Sequence, residues 1–324
     1  NTKIYTGTGS SNALTGVGFQ PDWTWIKRRN ATASHAIQDA VRGNDKSLRS
    51  NTTGAEYTNT FFSSFDTDGF TVTSSESDVN ASAETYASWN WKANGSGSSN
   101  TDGTTSSTVS VNTTAGFSIV KWTGSGSATT IGHGLGVTPK IIMLKNTSEV
   151  YGWQVYHASL GNTKYLALDS TDAEATSSES WNNTSPTSTV FSVGASDSNN
   201  KSGNTIIAYC FAEKKGFSKF GSYVGNGSTW GTFVNCGFKP ALIIIKKNAT
   251  DSWFMYDNKR GDINANAKTL KANTSDAEGT SGKEIDFLSN GVKIRNSNNS
   301  INTSGSTYIY MCFAEEPIVS SNGV

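Results

Sequence analysis

The sequence has few of the side chains on which catalysis, metal binding and cross-linking usually depend. Its 324 residues include three histidines and three cysteines, and no pair of cysteines has the two-residue spacing typical of zinc sites. An odd number of cysteines also argues against a disulfide framework. Cys210, Cys236 and Cys312 are therefore interpreted as small buried hydrophobic residues.

The sequence also lacks an excess of charge and any long hydrophobic run. Basic and acidic residues number 26 each, so the formal net charge is zero and nothing marks a surface for nucleic acid or an anionic membrane. No apolar run approaches the roughly 20 residues that a membrane-spanning helix needs. We therefore predict that the protein binds no nucleic acid and inserts into no membrane.

Proline is scarce too, but its positions are informative. Of the five prolines, Pro21, Pro139 and Pro240 each end the same pattern, which is a glycine, an apolar residue, any residue and proline. An aromatic residue and a Gly-x-Gly pair precede each copy, and an apolar run ending in lysine follows it. The spacing of about one hundred residues is that of whole domains rather than of a solenoid. The chain is therefore predicted to contain three homologous units.

Short strands joined by polar turns are predicted throughout each unit. The dipeptides Asp68-Gly69 and Asn290-Gly291 favour tight hairpin turns, and no segment has a convincing helical period. The recurring proline precedes the most apolar strand, where its missing N–H costs nothing in the ladder. The fold class predicted from these patterns is all-β, with three tandem antiparallel β-sandwich domains, jelly-roll-like and related by the internal repeat.

The repeat also predicts the domain boundaries. Unit 1 is assigned to residues 1–95, unit 2 to 117–216 and unit 3 to 217–319, each with a core of its own. Residues 96–116 are rich in glycine, serine and threonine and are predicted to form a flexible linker, although Val109 and Val111 could form a short strand in it. Units 2 and 3 are expected to dock with little freedom, and residues 320–324 are assigned as a tail.

The alignment of the units argues against an enzyme or a metal site. The histidines fall at unrelated positions: His35 aligns with Trp153 and Trp253, His157 aligns with Asp39 and Asp257, and His133 lies in a Gly-rich loop. The run from Asp66 to Gly69 resembles the start of a calcium loop, but the remaining ligands of such a loop are missing and a turn explains it. We therefore predict no catalytic residue, no metal and no cofactor.

Two tryptophans are the candidate ligand-binding residues. Positions that all three units share most simply serve the shared fold, whereas unshared aromatic residues in loops are better functional candidates. Trp230 lies where the other units have Asn12 and Thr129, and Trp181 lies in a polar loop without a counterpart. Exposed tryptophans commonly stack on sugars or anchor interfaces. The alternative is that both rings cover the edge of their own domain's core.

The run from Tyr5 to Gly95, which contains GFQPDWTWIKRRNATASHAIQDAVRG, KSLRSNTTGAE, SFDTDGF and TYASWNWKANG, resembles a domain of structural and tail-fibre-like proteins of marine tailed bacteriophages. Units 2 and 3 keep the framework but lose the WIKRR and WNWKA details. The resemblance implies a virion structural protein built from β-sandwiches, and it transfers no catalytic or binding residues.

The expected function is therefore that of a non-enzymatic virion protein on the particle surface, as a fibre, tail or capsid-decoration component that contacts the host. The expected partners are other virion subunits, further copies of this chain and a host-surface glycan or receptor. Only four residues precede Tyr5, so anchoring through upstream material or partner subunits is also expected. The alternative is a carbohydrate-binding or adhesin segment of a secreted bacterial protein.

Overall fold

The computed structural model describes residues 1–262 and 264–315. Strands account for 42% of the residues and helices for 4%, and every pair of neighbouring strands in the sheets is antiparallel, so the all-β prediction is confirmed. No helix in the described ranges is long and apolar enough to cross a membrane. The predicted tail at 320–324 lies outside the described residues.

Unit 1 consists of two facing sheets. Its strands are β1 Thr2–Thr6, β2 Asn12–Leu14, β3 Trp23–Arg28, β4 Ala36–Asp39, β5 Gly43–Leu48, β6 Tyr57–Thr58, β7 Phe62–Asp66, β8 Gly69–Val72 and β9 Thr85–Trp91. The larger sheet has the order β1-β9-β3-β4-β5-β6, and the smaller sheet has the order β2-β8-β7. The Asp68-Gly69 dipeptide lies at the β7–β8 hairpin, where the sequence predicts a tight turn.

Residues 96–116 contain two strands of the next sheet, β10 Ser98–Asn100 and β11 Ser107–Asn112. The prediction of a flexible linker is therefore wrong for this segment, whereas the short strand considered at Val109 and Val111 is present as part of β11. Strand β11 pairs along its full length with the first strand of unit 2, and Val109 is buried in the core of that unit. An uncovered first strand would leave a row of unpaired backbone groups, and this hairpin covers it.

Unit 2 adds the following elements: β12 Phe117–Thr123, β13 Thr129–Gly132, β14 Ile141–Asn146, β15 Gln154–His157, β16 Lys164–Ala167, β17 Ala175–Thr176, α1 Ser178–Trp181, β18 Val190–Val193, α2 Asp197–Asn200 and β19 Thr205–Phe211. The larger sheet has the order β10-β11-β12-β19-β14-β15-β16-β17, and β13 pairs with β18 in the smaller one.

Unit 3 contains β20 Ser218–Val224, β21 Phe233–Asn235, β22 Leu242–Lys247, β23 Trp253–Asp257, β24 Leu270–Lys271, β25 Ile285–Leu288, β26 Gly291–Ile294, α3 Asn299–Asn302 and β27 Thr307–Phe313. The larger sheet has the order β20-β27-β22-β23-β24, and the smaller sheet has the order β21-β26-β25. The unit thus repeats the order of unit 1, with the last strand between the first and the third. Asn290-Gly291 lies at the β25–β26 hairpin.

Each larger sheet is buried on both faces. The last strands show this most clearly, because alternate side chains point to opposite faces of a strand. In β19, Ile206, Ala208 and Cys210 pack in the core between the two sheets of unit 2, whereas Ile207, Tyr209 and Phe211 pack in a second core. Strand β27 divides in the same way, with Tyr308, Tyr310 and Cys312 on one face and Ile309, Met311 and Phe313 on the other.

This second core is common to all three units, and we call it the axial core. It includes Trp23, Trp89 and Trp91 of unit 1, Met143, Trp153 and Phe211 of unit 2, and Leu242, Trp253 and Phe313 of unit 3. Each unit does have a core of its own, but the prediction of separately cored domains missed this shared one. A sheet with two apolar faces needs a second cover, and the other two units supply it.

The final residues of the three last strands meet in an aromatic triangle. The ring centroids of Trp91, Phe211 and Phe313 lie 6.1 Å (Trp91–Phe211), 5.6 Å (Trp91–Phe313) and 5.5 Å (Phe211–Phe313) apart. Edge-on contacts at such distances are favourable for aromatic rings. Because the three residues occupy the same position of the repeat, the units are related by an approximate threefold axis within one chain.

Hydrogen bonds close the ring of units in one direction. A buried ring nitrogen at one position of the repeat contacts a main-chain carbonyl of a neighbouring unit in each case: Trp153 Nε1 and Arg49 O (2.9 Å), Trp253 Nε1 and Ala167 O (2.8 Å), and His35 Nε2 and Lys271 O (3.0 Å). The alignment of His35 with the two tryptophans thus has a structural reason. All three side chains make the same contact between units.

Candidate functional site

The buried acidic residues of the axial core serve contacts between units. In unit 1, Asp39 pairs with Arg42 and accepts a hydrogen bond of 2.7 Å from the Tyr209 hydroxyl of unit 2. In unit 3, Asp257 pairs with Arg260 and accepts a hydrogen bond of 3.0 Å from the Trp89 indole of unit 1. Trp89 and Tyr209 occupy equivalent positions of the repeat. A charge removed from water needs such partners, so both carboxylates are occupied by structural contacts.

At the third junction, other residues replace the aspartate and the arginine. His157 occupies the repeat position of Asp39 and Asp257, and Leu160 occupies that of the two arginines. Met311 occupies the position of the aromatic donors Tyr209 and Trp89. The His157 ring contacts the main-chain carbonyl of Tyr310 at 3.2 Å. Since methionine offers no donor to an acid, a neutral ring and an apolar neighbour fill this junction.

Both ring nitrogens of each histidine have partners. Nδ1 of His35 accepts from the Trp25 indole at 2.8 Å, and the Nδ1 atoms of His133 and His157 accept main-chain N–H groups. Burial is the main cause that lowers the pKa of His35 to about 3, and the charge of Lys27 adds to it. Burial also lowers the pKa of His157 to about 4 and the pKa of His133 below its ordinary value. The three rings are therefore neutral near pH 7 and poorly suited to acid–base chemistry there.

The acidic hairpin of unit 1 is a turn, as the sequence predicts. Asp66 accepts hydrogen bonds from the hydroxyls of Ser64 (2.7 Å) and Thr71 (2.6 Å). Asp68 accepts from the main-chain N–H groups of Gly16 (2.9 Å) and Gly18 (2.6 Å), which lower its pKa. Across residues 1–262 and 264–315, no three His, Cys, Asp or Glu side chains are grouped to hold a metal ion.

Trp181 is buried, which corrects its interpretation as an exposed loop residue. It ends the short helix α1, is 1% exposed and packs edge-on against Tyr156 in the core of unit 2. Its indole donates to the Lys164 carbonyl at 3.1 Å. The ring therefore offers no free face to a ligand, and the alternative weighed from the sequence, a cover for the core edge, describes its position.

Trp230 is exposed to 69%, the largest exposure of any large hydrophobic residue in the described ranges. Its ring lies over the guanidinium of Arg295, with 4.7 Å between Cζ and the ring centroid. Arg295 is held in turn by Asp286, with 3.3 Å between Nε and Oδ2. One face of the indole is thus supported by a cation, and such an arrangement can present the other face for stacking.

A buried asparagine in each unit fixes the loop that carries the Trp230 position. Asn302, which is fully buried, accepts from the Asn226 N–H at 2.9 Å and donates to the Ser228 carbonyl at 2.8 Å. Asn80 of unit 1 and Asn200 of unit 2 hold their own Gly-x-Gly loops in the same way. The loop frame is therefore shared by the three units, and the tip differs.

Further apolar side chains are exposed in the same segment. Val224 is 55% and Phe233 is 38% exposed, and the Thr232 hydroxyl bonds the Val224 carbonyl at 2.7 Å. We call Val224, Trp230, Phe233 and Arg295 the Trp230 surface. Of these four residues, Trp230 is predicted from the sequence and Arg295 is not. The alternation of Lys293 and Arg295 with the apolar residues of β26 was the available signal for an outward basic side chain.

An apolar cavity of about 320 Å³ opens at the end of the threefold axis. Trp89, Trp91 and Phe313 line it, together with the first and last described residues, Asn1 and Glu315. The Glu315 carboxylate is paired with Lys259 at 2.8 Å. Lys92 also lines the cavity, and the aromatic side chains make most of its wall apolar.

The fold and these sites define a β-sandwich-like protein of three repeated units around one core, with an exposed aromatic loop on the third. Residues 1–317 match the family model described as Domain of unknown function (DUF7483), and the chain belongs to this family. The match spans all three units, so the family domain corresponds to the whole ring and not to one repeat. A search of curated proteins gives no match.

Proposed function

We propose that this protein is a non-enzymatic structural protein of a bacteriophage virion, exposed on the particle surface as a fibre, tail or capsid-decoration component. In this proposal the units are jelly-roll-like β-sandwich domains, and the Trp230 surface contacts the host through a glycan or another receptor. Other virion subunits, including further copies of this chain, are the expected partners. The proposal involves no cofactor, nucleic acid or membrane insertion.

The observation that carries the proposal is the exposed aromatic residue at a variable point of a repeated frame. The tryptophans, acidic residues and asparagines that recur between units make contacts within or between those units. Trp230 departs from the other two units, and its loop is held at the backbone by Asn226, which donates to the Trp230 carbonyl at 3.0 Å. A rigid aromatic side chain on a fixed loop is a typical anchor for recognition.

Immunogold labelling of purified particles tests the location. An antibody raised against the folded protein should decorate intact virions from a producing culture in a regular pattern. Label confined to bacterial surfaces, with unlabelled particles, would contradict the virion proposal. Native mass spectrometry of the protein released from particles would then give its oligomeric state.

The second candidate is a carbohydrate-binding or adhesin segment of a secreted bacterial protein. The cation-supported indole favours it, because sugars stack on exposed aromatic rings. A glycan array with the wild-type protein and the Trp230→Ala variant tests this activity. Val150→Ala is the matched control, because Val150 is 68% exposed in unit 2 and lies outside the Trp230 surface.

The array and the labelling separate the two candidates. Binding that Trp230→Ala abolishes and Val150→Ala retains supports glycan recognition in either setting, and the location of the label then decides between virion and adhesin. Equal binding by all three proteins would remove the Trp230 surface from both proposals.

A further inference from the structure

Two thiols of unit 3 lie in direct contact across its sandwich. The Sγ atoms of Cys236 and Cys312 are 2.9 Å apart, although the residues are 76 positions apart in sequence. Cys236 directly follows β21 of the smaller sheet, whereas Cys312 lies in β27, an inner strand of the larger sheet. The pair therefore bridges the two sheets of the unit.

The pair is peculiar to unit 3. At the place of Cys312, unit 1 has Asn90 and unit 2 has Cys210, and at the place of Cys236 they have Val17 and Leu135. An apolar side chain thus suffices at the second position in the other units. The repeat supplies the natural replacements with which the pair can be dissected.

Both cysteines are buried, and Cys236 is the nearer of the two to the surface. Cys236 lines an open groove of about 530 Å³ together with Glu213, Lys215 and Lys219, and it is 6% exposed. Cys312 is fully buried behind it. Of the two residues, Cys236 is therefore placed to meet a small reagent from the groove first, and Cys312 is placed to react second.

We propose that Cys236 and Cys312 are a redox pair that forms an intramolecular disulfide by exchange with a low-molecular-weight disulfide such as glutathione disulfide. The sulfur atoms need to approach by less than about 1 Å to reach bonding distance. This inference does not depend on the proposed function.

The exchange balances in two steps. The Cys236 thiolate attacks one sulfur of glutathione disulfide, the bond between the two glutathione sulfurs breaks, and one glutathione thiolate leaves. The Cys312 thiolate then attacks Sγ of Cys236 and displaces the second glutathione thiolate. The two protons given up by the cysteines are taken up by the two leaving thiolates. The protein loses two electrons, and glutathione disulfide is reduced to two molecules of glutathione.

Burial and the neighbouring Cys236 raise the pKa of the Cys312 thiol well above its ordinary value. The second step should therefore be the slow one and should accelerate with pH, because the thiolate is the nucleophile. Cross-linking residues 76 positions apart restricts the unfolded chain, so the oxidised protein should melt at a temperature about 5 °C higher or more.

Thiol counting and peptide mapping of the intact chain test the pair. After incubation with glutathione disulfide at mildly alkaline pH, the denatured protein should titrate one thiol, that of Cys210, where the reduced protein titrates three. The map should show one peptide pair joined through Cys236 and Cys312. Three free thiols, or glutathione retained on Cys236 without the cross-link, would overturn the proposal, and neither result needs a variant to fold.

Variants taken from the other units serve as controls. Cys236→Leu, which copies Leu135, should lose both the cross-link and the oxidation-dependent rise in melting temperature. Cys210→Asn, which copies Asn90, should keep both. If Cys236→Leu melts with the same oxidation-dependent rise as the wild type, the rise does not come from this pair and its assignment is wrong.

Discussion

The junction of units 1 and 2 and the junction of units 2 and 3 solve the same packing problem with different chemistry. At the first, Asp39 and Arg42 form a buried pair that Tyr209 completes. At the second, His157, Leu160 and Met311 occupy the same places without a charge. The difference indicates that the acid–arginine pair depends on a hydrogen-bond donor to the acid from the neighbouring unit. Where the neighbouring strand offers none, the acid and the arginine are replaced together.

The largest expected effect comes from breaking the charged junction. Asp39→Ala leaves the Arg42 guanidinium, whose side chain is 2% exposed, with a single ion-pair contact, to the Glu56 carboxylate at 3.4 Å. Its other hydrogen bonds, to the Ile37 carbonyl (3.0 Å) and the Tyr209 hydroxyl (3.4 Å), supply no counter-charge. Removing one partner of a buried pair should lower the free energy of unfolding by about 3–5 kcal/mol. Urea unfolding of the purified variant measures it.

The transplanted junction is the control for that variant. The triple variant Asp39→His, Arg42→Leu, Tyr209→Met copies the residues of the uncharged junction. It should be less destabilised than Asp39→Ala, because no charge is left buried. A triple variant less stable than the single one would contradict the link between donor and acid.

Acid should weaken the uncharged junction and the His35 contact. The folded pKa values of about 3 for His35 and about 4 for His157 lie below the ordinary value of 6.5, so the unfolded chain binds protons first. This stability is fully present above pH 6.5 and is lost as the pH falls to about 4 for His157 and to about 3 for His35. The loss should reach roughly 2–3 kcal/mol for each ring. Unfolding free energies measured from pH 7 to 4 follow it, and His35→Trp, which copies Trp153 and Trp253, should reduce the slope.

Mildly alkaline pH should stabilise the protein. Lys27, Lys145 and Lys246 occupy one place in the repeat, are fully buried and have pKa values lowered to about 8 by burial. The folded lysines release protons near pH 8 while those of the unfolded chain keep them to about 10.5, so stability should rise in that window. By pH 9 the gain should be about 1 kcal/mol for each lysine.

Chemical denaturation at pH 7.5 and pH 9 measures this gain. Replacing one lysine by methionine should remove about a third of the rise. Above pH 10 buried tyrosines oppose it, because burial raises the pKa values of Tyr209 and Tyr223 well above those of the unfolded chain. A stability that falls between pH 8 and 9 would contradict the assignment.

The smallest expected effect on stability is that of Trp230. Trp230→Ala should change the free energy of unfolding by less than about 0.5 kcal/mol, because the ring is mostly in solvent. Trp181→Ala should cost about 3–5 kcal/mol, because it empties part of a packed core. Thermal denaturation of both variants tests the contrast, and a loss of similar size for Trp230→Ala would place that ring in the scaffold.

The sequence predicts the strands of this fold well because each repeat copies the same local signals. The Asp68-Gly69 and Asn290-Gly291 hairpins and the antiparallel all-β class are confirmed. The axial core was missed because a strand such as β19 is apolar on both faces. That pattern requires packing partners on both faces of the strand, but it does not indicate that another unit supplies one of them.

The errors at the linker and at Trp181 have a similar cause. Serine and threonine predict a flexible segment at 96–116, yet Val109 and Val111 alternate along β11 as they do in a paired strand. Trp181 follows polar residues in a loop without a repeat counterpart, and only the tertiary fold places its ring against Tyr156. The Arg295 support of Trp230 likewise depends on the register of β21 and β26. The domain boundaries themselves stay a prediction.

Differential scanning calorimetry of the intact chain tests the central claim, that three repeated units share one core and form one scaffold. Because the axial core joins all three larger sheets, unfolding one unit exposes the inner faces of the other two. A shared core predicts a single transition in which the calorimetric and van't Hoff enthalpies agree. Separate transitions for the units, or a calorimetric enthalpy about three times the van't Hoff value, would show independent domains and contradict it.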